Sequence, residues 1–258
     1  MKYKEFGGEE NPTILLLHGE WLSWWSFQEI VDALKAEYHI VVPVIDGHGE
    51  DGATTFPGIQ ETAQKIIGYI DANCQGRVCA ICGVSLGGQI AVEILSERPE
   101  ITEYAVVESA PVVPRRTPIR AGLATARLAY GLSRLKWLAR IRAKALCVAP
   151  GAFSRYYQDR LRISYGSWRN VKRSRAGYAA PAALGMSGAK VLVVIGAEEI
   201  EEMDPSVRLF MSTVRESRIC IVPDMRRGEL SLAHCTEYLA LIKHFIMCPC
   251  EHKTRELL

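Results

Sequence analysis

The segment Cys82-Gly83-Val84-Ser85-Leu86-Gly87-Gly88-Gln89 places a serine between glycines, where the apolar run RVCAICGV (77–84) meets the helical pattern GGQIAVEIL (87–95). This spacing predicts a tight strand-to-helix turn, with Ser85 in a strained backbone and its hydroxyl raised above the strand ends. The Leu86 amide, at the helix N-terminus, would point toward a developing oxyanion. The chemistry available to such a turn is attack of the serine oxygen on an ester or thioester carbonyl through an acyl-enzyme. That attack needs a base to take the serine proton and an acid to orient the base.

The elements that must position these groups are legible as alternating apolar runs and amphipathic stretches. TILLLHG (13–19), HIVVPVID (39–46), RVCAICGV (77–84), EYAVVES (103–109), KVLVVIGA (190–197) and RICIVPD (218–224) read as strands. Their hydrophobicity is continuous rather than alternating, which predicts burial on both faces and a mostly parallel sheet with helices on each side. SFQEIVDALKAE, IQETAQKIIGYIDAN, GGQIAVEILSERP and DPSVRLFMSTVRES read as those helices, the last with Asp204 as N-cap and Pro205 at its first position. The alternation breaks once: 111–185 holds helical spacing, as in GLATARLAYGLSRLKWLARIRAKAL, and no convincing strand. The expected organisation is an α/β core of 1–110 and 186–258 with a helical cap inserted at 111–185.

The chain resembles the α/β-hydrolase superfamily, and specifically its small capped carboxylesterase-like members. The resemblance runs over nearly the whole length: His18-Gly19 after the first of these strands, DGHGEDG (46–52) after the second, the Ser85 elbow, the cap, VVIGAEEI (193–200) and GELSLAH (228–234). It implies an α/β-hydrolase fold, with Ser85 as nucleophile and the amides of Glu20 and Leu86 as oxyanion hole. Glu199, three residues after Gly196, matches the acid that orients the histidine, and Glu198, Glu201, Glu202 and Asp204 stand close enough to be alternatives.

The histidine itself is missing. Relatives are expected to read M-x-His-Gly-Glu-Leu here, and this chain reads Met225-Arg226-Arg227-Gly228-Glu229-Leu230. A guanidinium stays protonated at any relevant pH and accepts no proton, so Arg227 cannot replace a base. His234 is the nearest substitute, seven residues further on. At ~1.5 Å per helical residue that displacement exceeds the ~3 Å a base requires, unless the loop refolds. His18 and His48 belong to loop motifs near the strand ends, while His39, His244 and His252 are expected at the surface.

A second departure lies across the expected pocket. His18-Gly19 continues as Glu20-Trp21 where relatives commonly carry another small residue, which sets a carboxylate beside the oxyanion loop. Pairing of Glu20 with Arg227 or Arg226 would close the vacated base position; a solvent-facing Glu20 is the alternative. Trp21, Trp24 and Trp25 in EWLSWWSF are candidates for an apolar substrate pocket or for packing between the first helix and the cap.

Bulk properties bound the rest. The 258 residues carry a formal net charge of +2, but 111–180 alone holds sixteen Lys and Arg against the single acid Asp159, leaving fifteen bases and twenty-eight acids elsewhere. Such a segment can pair with the acidic body, steer anionic substrates, or touch an anionic surface. Arg127, Arg134 and Lys136 interleave with Leu123, Leu128, Tyr130, Leu132, Leu135, Trp137 and Leu138, a pattern expected to bury its apolar face on the pocket. No nucleic-acid motif accompanies the charge. Eight scattered cysteines suit reduced thiols, and Cys248-Pro-Cys250 lacks further ligands for a metal site. MKYKEFGGEENP has no signal-peptide core and no run is long enough for a membrane span, so a cytoplasmic location is expected.

The function these residues imply is hydrolysis of small ester or thioester substrates by Ser85, weakened by Arg227 and without cofactor or metal. A hydrolase-fold binding protein for a small apolar or anionic ligand is the alternative.

Overall fold

A computed structural model describes residues 1–114 and 123–247. Seven strands form one sheet in the order β1-β3-β2-β4-β5-β6-β7: β1 (Lys2–Phe6), β2 (Thr13–Leu17), β3 (His39–Val44), β4 (Val78–Val84), β5 (Thr102–Glu108), β6 (Lys190–Gly196) and β7 (Ser217–Val222). Neighbours from β3 to β7 pair parallel; β1 alone runs antiparallel, against β3. The six expected strands are all present. The first was missed because Lys2-Tyr3-Lys4-Glu5-Phe6 is a charged, half-exposed edge, the composition that keeps an edge from recruiting other chains.

The helices are α1 (Gln28–Leu34), α2 (Ile59–Asn73), α3 (Leu86–Glu97), α4 (Leu123–Ser133), α5 (Lys136–Ala145), α6 (Phe153–Arg162), α7 (Tyr165–Gly177), α8 (Ile200–Thr213), α9 (Glu229–Ala233) and α10 (Cys235–Met247). Successive strand residues point to opposite faces. Ile14 and Leu16 therefore pack with Phe27 just before α1, with Ile30 and Leu34 of α1, and with Ile242 and Phe245 of α10. Leu15 and Leu17 pack on the other face with Ile66 of α2, Ile90 of α3 and Phe210 of α8. Burial of both faces is what the continuous apolar runs required.

Helix α8 begins at Ile200, so Asp204 does not cap it and Pro205 lies inside it. The Glu199 carboxylate explains the early start: it accepts the Gly196 amide at 3.2 Å and starts a short turn over 197–199 that leads straight into the helix. Pro205 removes only the bond to the Glu201 carbonyl, and Asp204 instead pairs with Arg208 at 2.8 Å. His39 is buried rather than exposed, its Nδ1 3.2 Å from Thr13 Oγ1.

Helices α4 to α7 fill the sequence between β5 and β6. Their outward side is not polar. Leu128, Leu132, Leu135 and Trp137, expected to face the pocket, are exposed; Leu128 is 64% and Trp137 63% accessible. The inward side of α5 is formed instead by Ala139 and Ala143, small residues that let it lie close to the rest of the insertion. The Leu123 side chain, Cys248, Cys250 and His252 lie outside the described residues. Among those described, the cysteines are free, no acid, histidine and cysteine cluster is placed to hold a metal, and no helix is long and apolar enough to cross a membrane.

Candidate active site

The strand order reverses at β2, whose parallel partners are β3 on one side and β4 on the other. Crevices outside the carboxyl ends of such strands are where parallel α/β sheets present ligand-binding groups. Glu20 follows β2 and Ser85 follows β4, so both stand at this crevice.

Ser85 has φ 55° and ψ −109°, a conformation that costs a non-glycine residue about 1–3 kcal/mol and persists only when its surroundings enforce it. The surroundings are glycines. A Cβ on Gly83 would strike the Gly87 carbonyl, and one on Gly87 would strike the Leu17 carbonyl, so α3 leaves the turn at a closeness no other residue allows. Among the described residues, no backbone carbonyl takes the amides of Glu20 or Leu86, which leaves both donors available for an oxyanion.

The Ser85 hydroxyl is engaged from above. Arg175, near the end of α7, donates from Nη2 to Ser85 Oγ at 3.0 Å and places Nη1 2.5 Å from Glu20 Oε1. Lys172, one turn earlier on the same face, lies 4.0 Å from the same oxygen. Burial works against charge on Glu20, but the two cations outweigh it and hold its carboxyl below the usual range. The expected pair of Glu20 with Arg227 or Arg226 is therefore corrected: Glu20 turns up to the insertion, where α7 presents cations, while both arginines are held by other acids. Arg175 was missed. Nothing in the sequence sets Lys172 and Arg175 apart from the other bases of the segment.

Arg227, in the loop after β7, is held by two acids. Its Nε is 3.3 Å from Glu199 Oε2, and Nη2 pairs with Glu202. Arg226 points elsewhere, to Glu229 at 3.1 Å. Glu199 is 5% exposed and also accepts a hydrogen bond from the Ser109 hydroxyl, whose oxygen in turn accepts the Gly228 amide at 2.9 Å. Ser109 sits at φ 51° at the end of β5, so two strained serines end adjacent parallel strands. Sequence reasoning passed over Ser109 and its neighbour Glu108. Glu108 is buried, accepts the Ser231 amide at 3.2 Å, and burial pushes its carboxyl up to about 7.

Among the described residues, no hydrogen bond joins an imidazole to Ser85 or Arg227. His234 caps the C-terminus of α9, and among the described residues no hydrogen bond links its ring to Ser85 or Glu199. His18 Nε2 accepts the Ile45 amide at 3.1 Å and its Nδ1 lies 2.9 Å from the Gly19 carbonyl, so both nitrogens are committed and the ring is neutral. Burial drives its pKa down to about 3. His48 is likewise buried, with Nδ1 3.1 Å from the Asp46 carbonyl and a lowered pKa.

Trp25 lines a cavity. That space, about 390 Å³, is bounded also by Leu22, Cys147, Arg155, Leu232 and Cys235; a neighbouring one of about 710 Å³ is bounded by Arg140, Lys144, Phe153, Arg226 and Glu229, and Ser85 lines neither. Trp25 donates to Asp159 at 2.7 Å, tying the body to the one acid of the basic segment. Trp21 is buried at φ 67° with Arg160 and Lys172 over its ring, and Lys4 and Arg155 both lie over the ring of Trp24.

The fold agrees with comparisons against known proteins. A model described as "Alpha/beta hydrolase family" matches residues 14–234. The magnesium-chelatase 30 kDa subunit of Rhodobacter capsulatus is 30% identical over 98 residues, 36% of this chain and 33% of that one. Pimeloyl-[acyl-carrier protein] methyl ester esterase of Nitrosomonas europaea is 24% identical over 125 residues, 48% of each chain; the matches thus span less than half the length of these curated relatives. Among solved structures, a thermophilic esterase from Thermogutta terrifontis superposes with TM-score 0.73 at 16% identity, covering 95% of this chain and 92% of that one. A 2-hydroxy-6-oxo-6-phenylhexa-2,4-dienoate hydrolase from a Rhodococcus strain gives 0.75 at 19%, covering 95% and 98%. With the family model spanning the sheet, the elbow and the loop of Arg227, the chain belongs to the alpha/beta hydrolase family.

Proposed function

We propose that this protein is a serine hydrolase of small ester or thioester substrates whose turnover is slow because its nucleophile has no general base. The observation that carries this reading is the Arg227 to Glu199 ion pair at 3.3 Å. In a working triad the acid orients an imidazole; here it neutralises a guanidinium that can donate protons but not accept one. What supports retained chemistry is the strained Ser85 turn and the two available amides, which can hold a tetrahedral oxyanion without any base. Arg175 adds positive charge beside Oγ and favours the alkoxide once hydroxide has removed the proton. The oxyanion hole and binding alone leave about 10³-fold over water when a triad is broken.

A second reading is a binding protein for a small apolar or anionic ligand. It is favoured by the Arg175 bond to Ser85 Oγ, because a carboxylate entering the crevice would find a guanidinium already desolvated. Hydrolysis of p-nitrophenyl acetate by the wild type and Ser85→Ala separates the two. The hydrolase reading expects slow turnover that Ser85→Ala removes. Turnover equal in both proteins, or none in either, sinks it.

A further inference from the structure

The exposed side of α4 and α5 combines two properties that rarely coincide on a soluble surface. Leu128 and Leu132 stand one turn apart on α4, and Trp137 and Ile141 one turn apart on α5, with Leu135 in the bend between; Leu132 is 44% and Ile141 58% accessible. On α5 the buried Ala139 lies about 200° around the helix from Trp137, so the tryptophan points directly away from the protein. Lys136, Arg140 and Lys144 form a second exposed row beside Trp137 and Ile141, and Arg127 flanks Leu128. Among the described residues no carboxylate pairs with Arg127, Arg134, Lys136, Arg140 or Lys144; the segment's ion pairs to acids are Arg162 with Asp159 and Arg175 and Lys172 with Glu20.

The acidic body therefore leaves this face uncompensated, in a segment of sixteen bases and one acid. We propose that the outer face of α4 and α5 docks on an anionic lipid bilayer. A tryptophan and leucines outward, rimmed by lysines and arginines, is the composition of a helix lying in the interfacial plane. Its apolar row enters the headgroup boundary and its bases meet lipid phosphates. A nucleic acid would gain nothing from the row Leu128, Leu132, Trp137 and Ile141, and a protein partner would have to supply both an apolar groove and an acidic rim. Docking in this orientation leaves the sheet above the membrane, with α7, which roofs the Ser85 crevice and packs on α4, between the two.

The test is cosedimentation of the full-length protein with sucrose-loaded vesicles, either pure phosphatidylcholine or containing 30% phosphatidylserine. Wild type is expected to partition onto the anionic vesicles at least tenfold more strongly than onto neutral ones. Trp137→Ser/Ile141→Ser removes the apolar contribution, and Lys136→Glu/Arg140→Glu removes the charge, each basic residue near the surface contributing about fivefold. All four positions are exposed, so the variants should keep wild-type circular dichroism and melting; either pair suffices if the other misfolds. Wild-type binding that is absent, equal on both vesicles, or unchanged in a folded variant overturns the proposal. So does a patch occupied by a second copy, seen as a concentration-dependent dimer in sedimentation equilibrium that the Trp137→Ser/Ile141→Ser variant loses.

Discussion

Arg227 Nε lies 3.3 Å from Glu199 Oε2, and that carboxylate is buried. Ser109 and the Gly196 amide hold the rest of that carboxylate. A carboxylate so buried calls for a cation, because a bare buried charge would cost more than the pair does.

The first prediction concerns pH. With no general base, the wild-type rate on p-nitrophenyl acetate should rise about tenfold per pH unit from 6 to 9, as hydroxide alone removes the Ser85 proton. An Arg227→His variant should instead level off above about pH 7, the range in which an imidazole becomes neutral. Identical profiles for the two proteins would contradict the assignment of position 227.

Arg175 is predicted to be structural as well as local to the nucleophile. Arg175→Met leaves Glu20 in the crevice with only the more distant Lys172, and should lower urea stability by about 2–4 kcal/mol. Glu20→Gln combined with Arg175→Met should recover more than half of that loss, since the two single changes share one interaction. A change below about 0.5 kcal/mol for Arg175→Met would show that the pair carries no net weight.

Glu108 and His18 act on stability in opposite directions. The folded state raises Glu108 from 4.5 to about 7, so it binds a proton more tightly than the unfolded chain does, and stability from this group is lost as pH rises from about 4.5 to 7. The folded state lowers His18 from 6.5 to about 3, so stability from His18 is lost as pH falls below about 6.5. Between 4.5 and 6.5 the slopes oppose. Glu108→Gln should remove one of them, giving a protein that weakens on acidification through that window and is more stable than wild type above pH 7, by an amount of order 3 kcal/mol. Parallel stability curves for the two proteins would rule out a protonated Glu108.

The elbow and the six parallel strands were legible because both are local: glycines flanking a serine, and apolar runs too continuous for a one-sided sheet. The roof of the site was not. Arg175 meets Ser85 across 90 residues of chain, and nothing in the order of residues says which of sixteen bases will turn inward. Outward Trp137 and Leu128 escaped for a related reason. Amphipathic spacing fixes which residues share a face, but not whether that face meets the core or the solvent, and Ala139 with Ala143 offered a second, smaller face that packs more closely. Glu20 was expected to meet Arg227, Arg226 or solvent, and it meets Lys172 and Arg175 instead because α7 lies overhead.

The central claim is that Ser85 is positioned but not activated, and the intact mass of the protein after incubation with a fluorophosphonate probe tests it most directly. Wild type, Arg227→His and Ser85→Ala are treated alike. The account predicts that the histidine variant gains one probe mass at Ser85 while wild type and the alanine variant stay unlabelled over the same interval. Prompt labelling of the wild type at Ser85 would contradict it, because some group other than residue 227 would then be taking the serine proton.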